Sequence, residues 1–217
     1  MKGLLIKDFK LMKGQKNFFM VIVVISLIMT ITSPSTSYAI GFLGFIGSLF
    51  TLSSISYDEF DNGNAFLFSL PITRKDYVLE KYAFGLVTGM ASLLLGTIIS
   101  LITVIITNTG DFNEILITAC TFIPIMLFIL SIIIPFQLKF GGEKGRIAIL
   151  CVMGFVFIID VLLVKIIEFM GIDLYTLVKN FPQFSTQVYI LLFLLFSIIV
   201  LTISYYVSLL IMKKKEF

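Results

Sequence analysis

Six apolar runs set the limits on what this chain can fold into: residues 18–32, 38–56, 82–107, 115–137, 147–164 and 188–212. A helix needs about 20 apolar residues to cross a hydrocarbon core about 30 Å thick, and the first run approaches that length only if extended at its ends. Backbone amides and carbonyls find no water there, so each run must pair its own groups as a helix. Hydrophobic residues make up 59% of the 217, charged residues only 13%, and the mean hydropathy is +1.08. A soluble domain carries about 25% charged residues. The expected fold is therefore all-α: a polytopic membrane protein with six transmembrane helices in one domain, residues 1–217.

The basic residues set the expected orientation. Lys2, Lys7, Lys10, Lys13 and Lys16 precede the first run, Arg74, Lys75 and Lys81 lie between the second and third, Lys139, Lys144 and Arg146 between the fourth and fifth, and Lys213, Lys214 and Lys215 follow the sixth. These are fourteen of the sixteen basic residues, all on one side of a six-span topology; Lys165 and Lys179 fall on the other. The positive-inside rule then makes both termini and the second–third loop cytoplasmic. A cleavable secretory signal ending near "SYA" at 37–39 fits less well, because another apolar run follows at once and the leader before Phe18 is long.

Several chemistries are excluded by residue type. The chain has no His, which removes His-ligated haem, His-based zinc sites and Ser–His–Asp catalysis. Cys120 and Cys151 each fall inside an expected span, where apolar surroundings disfavour the thiolate and favour a packing role. No catalytic residue and no metal site is expected. The nearest approach to a phosphate-binding loop, "GGEKGR" at 141–146, lacks the G-x-x-x-x-G-K-[ST] spacing.

Some segments depart from plain apolar helix. The leader MKGLLIKDFKLMKGQK places Leu5, Phe9 and Met12 at helical spacing among lysines, which reads as an interfacial helix over residues 1–17, or as a basic leader that only fixes topology. In the third run Gly85, Gly89, Ser92, Gly96 and Ser100 share one helix face, where another backbone can approach closely, from a partner subunit or from the same chain. Gly41, Gly44 and Ser48 repeat the device on a smaller scale. Pro124 and Pro135 are expected to kink or end the fourth helix. Asp160 is the acid set well inside an apolar run, a weak candidate for a translocation path. Residues 165–187 are semi-apolar and broken by Pro182, an outer segment of extracellular or re-entrant character.

The stretch YDEFDNGNAFLFSLPITRKDYVLEKY, residues 57–82, packs eight charged residues around a short apolar centre. "DNGN" is turn chemistry, since Asn and Gly tolerate left-handed backbone. Phe66, Leu67, Phe68 and Leu70 follow, stopped by Pro71, and Thr73 with Asp76 three residues on forms a helix start signal. An apolar knob between charged flanks either lies on the bilayer or fits a groove on a partner.

"FLFSLPITRKDYVLEKY" resembles the second–third loop signature of ABC-2 type permeases, the transmembrane subunits of certain ABC transporters. The leader "MKGLLIKDFK", the six runs and the cytoplasmic termini extend the resemblance over essentially the whole chain. The resemblance implies that residues 57–81 carry a coupling helix docking on a separate ATPase subunit, through Phe66, Leu67, Phe68, Leu70, Arg74 and Lys75. It implies that the leader is a connecting helix and that residues 165–187 correspond to re-entrant helices. The implied assembly has two ATPase copies and a second permease chain, identical or different, in a bacterial plasma membrane. The chain itself would bind no cofactor, ATP and Mg belonging to the ATPase, and nucleic acid is not among the implied partners. The function expected is export of amphipathic peptides or other hydrophobic compounds. Rival readings are a secondary transporter, for which Asp160 is the one ionisable group offered, an intramembrane enzyme, for which no catalytic cluster is visible, and a membrane assembly factor using the same knob.

Overall fold

The computed structural model describes residues 2–32, 37–60, 63–107, 110–142 and 185–215, with the single positions Lys144, Gly145, Ile147, Gly154 and Lys165. Seven helices are formed by these stretches: α1 (Lys2–Gly14), α2 (Lys16–Thr32), α3 (Tyr38–Glu59), α4 (Gly63–Ser69), α5 (Arg74–Thr107), α6 (Phe112–Phe140) and α7 (Thr186–Lys214). No strand occurs among the described residues. Helices α3, α5, α6 and α7 are each long and apolar enough to span a membrane, whereas α1 and α2 qualify only together, as a pair bent by 66°. The described residues thus hold four or five of the six expected spans. The expected fifth span with Asp160 and Cys151, and all but the ends of the 165–187 segment, lie outside the described residues.

The bend between α1 and α2 follows from charge. Every residue of α2 after Lys16 is uncharged, while α1 carries four lysines and Asp8, whose burial in hydrocarbon is costly. Gly14, a poor helix former, ends α1 where the two environments meet. Helix α5 shows the opposite behaviour: its 34 residues run about 51 Å at 1.5 Å per residue, well beyond a core of about 30 Å. The expected third span therefore occupies only part of α5, and its amino-terminal turns project as a rigid extension.

Lipid as solvent is visible in the inverted polarity of the helices. In α7 the buried positions include Ser197, Ser204 and Ser208, while Leu191, Leu195, Ile199 and Ile203 are exposed. In α2, Ser26 and Thr30 are buried and Val24, Ile28 and Ile31 face outward. Their hydroxyls donate to carbonyls one turn back, Ser26 to Val23 at 2.8 Å and Thr30 to Ser26 at 2.7 Å, so neither is left unpaired.

Helix α5 lies at the centre, and its small-residue face meets helices of the same chain. Gly89 faces Met126 and Ser48, Gly85 faces Thr51 and Leu130, and the Ser92 hydroxyl fills the space over Gly47. At Gly96 the approach is backbone to backbone: a Cβ there would stand 2.8 Å from both the Ala39 carbonyl oxygen and the Ile40 Cα. Gly44 receives the Leu93 side chain in return.

Helix α6 runs unbroken through Pro124 and Pro135, so neither proline ends it. Pro135 lacks the amide that would bond the Ser131 carbonyl one turn back. The Ser204 hydroxyl of α7 donates to that carbonyl instead. Ser204 and Ser208 also bond the Tyr82 hydroxyl of α5, at 2.6 and 2.9 Å, tying three helices through one polar seam.

Gly96→Ala is expected to cost more than Gly89→Ala, because at Gly96 two backbones must separate whereas at Gly89 a flexible methionine can move. Melting of the detergent-purified variants checks this: the Gly96 variant should show the larger drop, corresponding to about 1–3 kcal/mol.

Candidate functional site

The apolar knob of the second–third loop folds as α4, joined to α5 through Leu70, Pro71, Ile72 and Thr73. Thr73 caps α5 as the sequence implies: its Oγ1 accepts from the Asp76 amide at 3.1 Å and donates to the Asp76 carboxylate at 2.5 Å. That hydrogen bond holds the Asp76 carboxyl below its ordinary range. Gly63 starts α4 hard against the end of α3, where a Cβ would lie 2.7 Å from the Asp58 carbonyl oxygen.

The six residues implicated in docking divide into two groups. Phe66, 72% exposed, projects outward with Leu70 and Lys75. Leu67 points the other way and is buried, while Phe68 sits half-buried with its ring 5.5 Å from that of Tyr77 in an edge-to-face contact. Arg74 reaches across to α7, donating to the carbonyls of Met212 at 2.8 Å and Lys213 at 2.6 Å, which are among the last carbonyls of that helix and have no acceptor role within it. Leu67, Phe68 and Arg74 therefore hold the knob, and Phe66, Leu70 and Lys75 are presented by it.

Beneath α4 lies a buried ionic cluster. The Lys81 ammonium of α5, with no solvent exposure, meets the Asp8 carboxylate of α1 at 2.5 Å and the Asp58 carboxylate of α3 at 2.7 Å. It also donates to the Ser54 hydroxyl at 2.6 Å, which in turn donates to Asp8. Lys7 closes the group against Asp58, the Glu80 carboxylate stands 3.4 Å from Lys81, and the Lys81 nitrogen lies 5.1 Å from the Tyr77 ring centroid. One ammonium thus clamps α1, α3 and α5 together at the foot of the knob.

Electrostatics within the cluster follow from burial and pairing. Burial opposes the charged form of Lys81, but Asp58, Glu80 and Asp8 outweigh it and hold the ammonium above its ordinary pKa. For Asp8, burial is likewise outweighed by Lys81, and its pKa is lowered. Glu80 goes the other way: burial dominates over the attraction of Lys81, and repulsion by Asp8 adds to it, pushing its pKa up to about 7. Tyr77 is raised by burial and by Asp58, so its hydroxyl stays neutral.

The carboxyl-terminal end joins the same end of the bundle. Lys215 bonds Glu59 at 2.7 Å and the Leu138 carbonyl at 3.1 Å, and Gln137 donates to the Ser56 hydroxyl at 3.0 Å. Helix α1, the α3–α5 connection and the end of α7 therefore meet on one face. Sequence reasoning counted Lys81 among the topology-setting basic residues, gave Asp8 and Asp58 no role of their own, and did not bring the three together. A signal was present: Asp8 is the only acid before Asp58.

The family model for ABC-2 family transporter protein matches residues 3–213. The chain belongs to that family and is the membrane-embedded permease component of an ABC transporter, a part distinct from the ATPase with which it associates. Comparison with curated proteins and with solved structures gives no match.

Removing Lys81 leaves two buried carboxylates without their shared cation, at a cost of about 3–5 kcal/mol. Lys81→Met should therefore melt well below wild type in detergent, and adding Asp8→Asn and Asp58→Asn should recover part of the loss. A raised carboxyl pKa stabilises the fold below the unfolded value, and that contribution is lost as pH rises through the folded one. Wild type should accordingly lose stability from about pH 4.5 to about 7, and Glu80→Gln should flatten that slope when melting is followed across pH.

Proposed function

We propose that this permease is the membrane half of an ATP-driven exporter that moves amphipathic peptides or similar hydrophobic compounds out of a bacterial cell. A pair of permease chains, identical or different, forms the pathway, and two ATPase copies dock on their cytoplasmic faces. Both termini and the α3–α5 loop lie in the cytoplasm, a reading supported by the fourteen-to-two bias of basic residues and by the meeting of α1, α4 and the α7 end on one face.

The observation that carries this reading is the construction of α4. It presents Phe66 outward, with Leu70 of the following connection and Lys75 of α5 exposed beside it, while Leu67 and Phe68 turn inward and Arg74 of α5 ties the same end to α7. An exposed phenylalanine on a firmly held seven-residue helix is a contact element, and α5 continues from it straight into the bundle. Closure of the ATPase dimer would push α4, and the Lys81 clamp would pass that displacement to α1 and α3 together. The leader helix α1 lies along the inner bilayer surface, its lysine stems reaching headgroups. The absence of charge from the apolar faces of α5 and α7 suits amphipathic cargo better than ions.

Co-purification tests the docking. Wild type should retain its ATPase on an affinity column, and Phe66→Asp/Leu70→Asp should lose it while inserting and melting as wild type does. Full retention by the double variant would assign the exposed residues to the bilayer surface instead.

A further inference from the structure

The inner side of the α1–α2 bend leaves a cavity of about 660 Å³ between α1, α2, α3 and α5, within the range of about 300–1,000 Å³ found for small-molecule sites. Its walls are almost wholly apolar, with Phe19, Ile22, Leu43, Phe50 and Leu95 among them. Among the described residues, Lys13 and Lys16 are the only charged ones lining it. Both are exposed, and neither has an acidic partner among the described residues. The stripe of α1 that the sequence marks as amphipathic supplies Phe9 and Met12 to the same half-open apolar cavity.

We propose that this cavity holds one acyl chain of an anionic phospholipid, whose headgroup phosphate sits between Lys13 and Lys16. Three features fit that occupant together. From Lys16 to Val24 the lining of α2 descends about 12 Å at 1.5 Å per residue, most of one leaflet of a core about 30 Å thick. Lys13 in the last turn of α1 and Lys16 at the first position of α2 flank the bend where the apolar span begins, the level of headgroups, and juxtamembrane lysines favour anionic lipid. The bend of 66° separates the basic α1 from the apolar α2 at the level where a lipid changes from headgroup to chain. A zwitterionic lipid would fill the apolar part equally but would lose the charge complementarity at the mouth. The proposal does not depend on how α4 meets the ATPase.

The chain has no tryptophan, so a single introduced one reports on its own surroundings. Phe19→Trp places a reporter in the cavity wall, Val23→Trp a second one a turn deeper should the first perturb folding, and Ile199→Trp a control on the exposed face of α7. Each variant is purified whole and reconstituted into vesicles of phosphatidylcholine containing a minor fraction of acyl-brominated phosphatidylglycerol or acyl-brominated phosphatidylcholine, whose bromines quench tryptophan. The cavity reporters should be quenched by the brominated phosphatidylglycerol at on the order of tenfold lower mole fraction than by the brominated phosphatidylcholine. Lys13→Gln/Lys16→Gln should abolish that preference, and the control should show none. Equal quenching by the two lipids, or a preference that survives loss of both lysines, would overturn the proposal. So would reporters quenched by neither lipid, the result expected if a second copy of the chain fills the cavity.

Discussion

A lysine ammonium sealed from water decides how the loop end of this permease is put together. Moving such an ion out of water costs several kcal/mol, and the cost is offset only where opposite charge and hydrogen bonds converge on it. At Lys81 they arrive from three helices: Asp8 from α1, Asp58 and Ser54 from α3, and Glu80 from its own helix. The cluster therefore fixes an arrangement more than it adds net stability, which is the best-supported role for buried ionic groups. The position of α4 depends on it in turn, since α4 is stacked on Tyr77 one turn before Lys81.

The spans were legible in the sequence because lipid reverses the usual burial rule. Where apolar side chains face the solvent as well as the interior, an entire helix reads as apolar, and the ends are marked by lysine. That logic placed the α3, α6 and α7 spans within the helices found, and it placed the α1–α2 boundary within three residues. The small face of α5 was equally legible, but its partner was not, because a glycine stripe records that something approaches and not which backbone does. The meeting of Gly96 with Ala39 and Ile40 resolves this within the chain.

The sequence marks the loop as a compact apolar piece, which folds as α4, but does not show which of its residues turn inward. Alternation within a seven-residue helix turns Leu67 inward and Phe66 outward, and no local pattern distinguishes the two before Tyr77 is known to lie beneath. Arg74 was a docking candidate through the family resemblance alone; the backbone carbonyls it bonds at Met212 and Lys213 lie 138 and 139 positions away and are invisible to sequence reasoning. The ionic cluster was missed for the same reason on a larger scale. Its members lie at positions 8, 58 and 81, far apart in the sequence, and no local pattern links the two acids to the lysine.

The proline in α6 has a consequence for how the protein is made. Pro135 leaves the Ser131 carbonyl without its own helix's amide, and the group that satisfies it, Ser204, belongs to the last helix of the chain. During synthesis α6 reaches the bilayer well before α7 does, and for that interval it holds an open acceptor facing the place α7 will occupy. An unpaired carbonyl in hydrocarbon attracts any donor, so the defect marks the docking side of α6 before its neighbour exists. Helix α7 brings the matching donor on its one polar face, so the hydrogen bond that α6 cannot make alone helps to set where α7 packs.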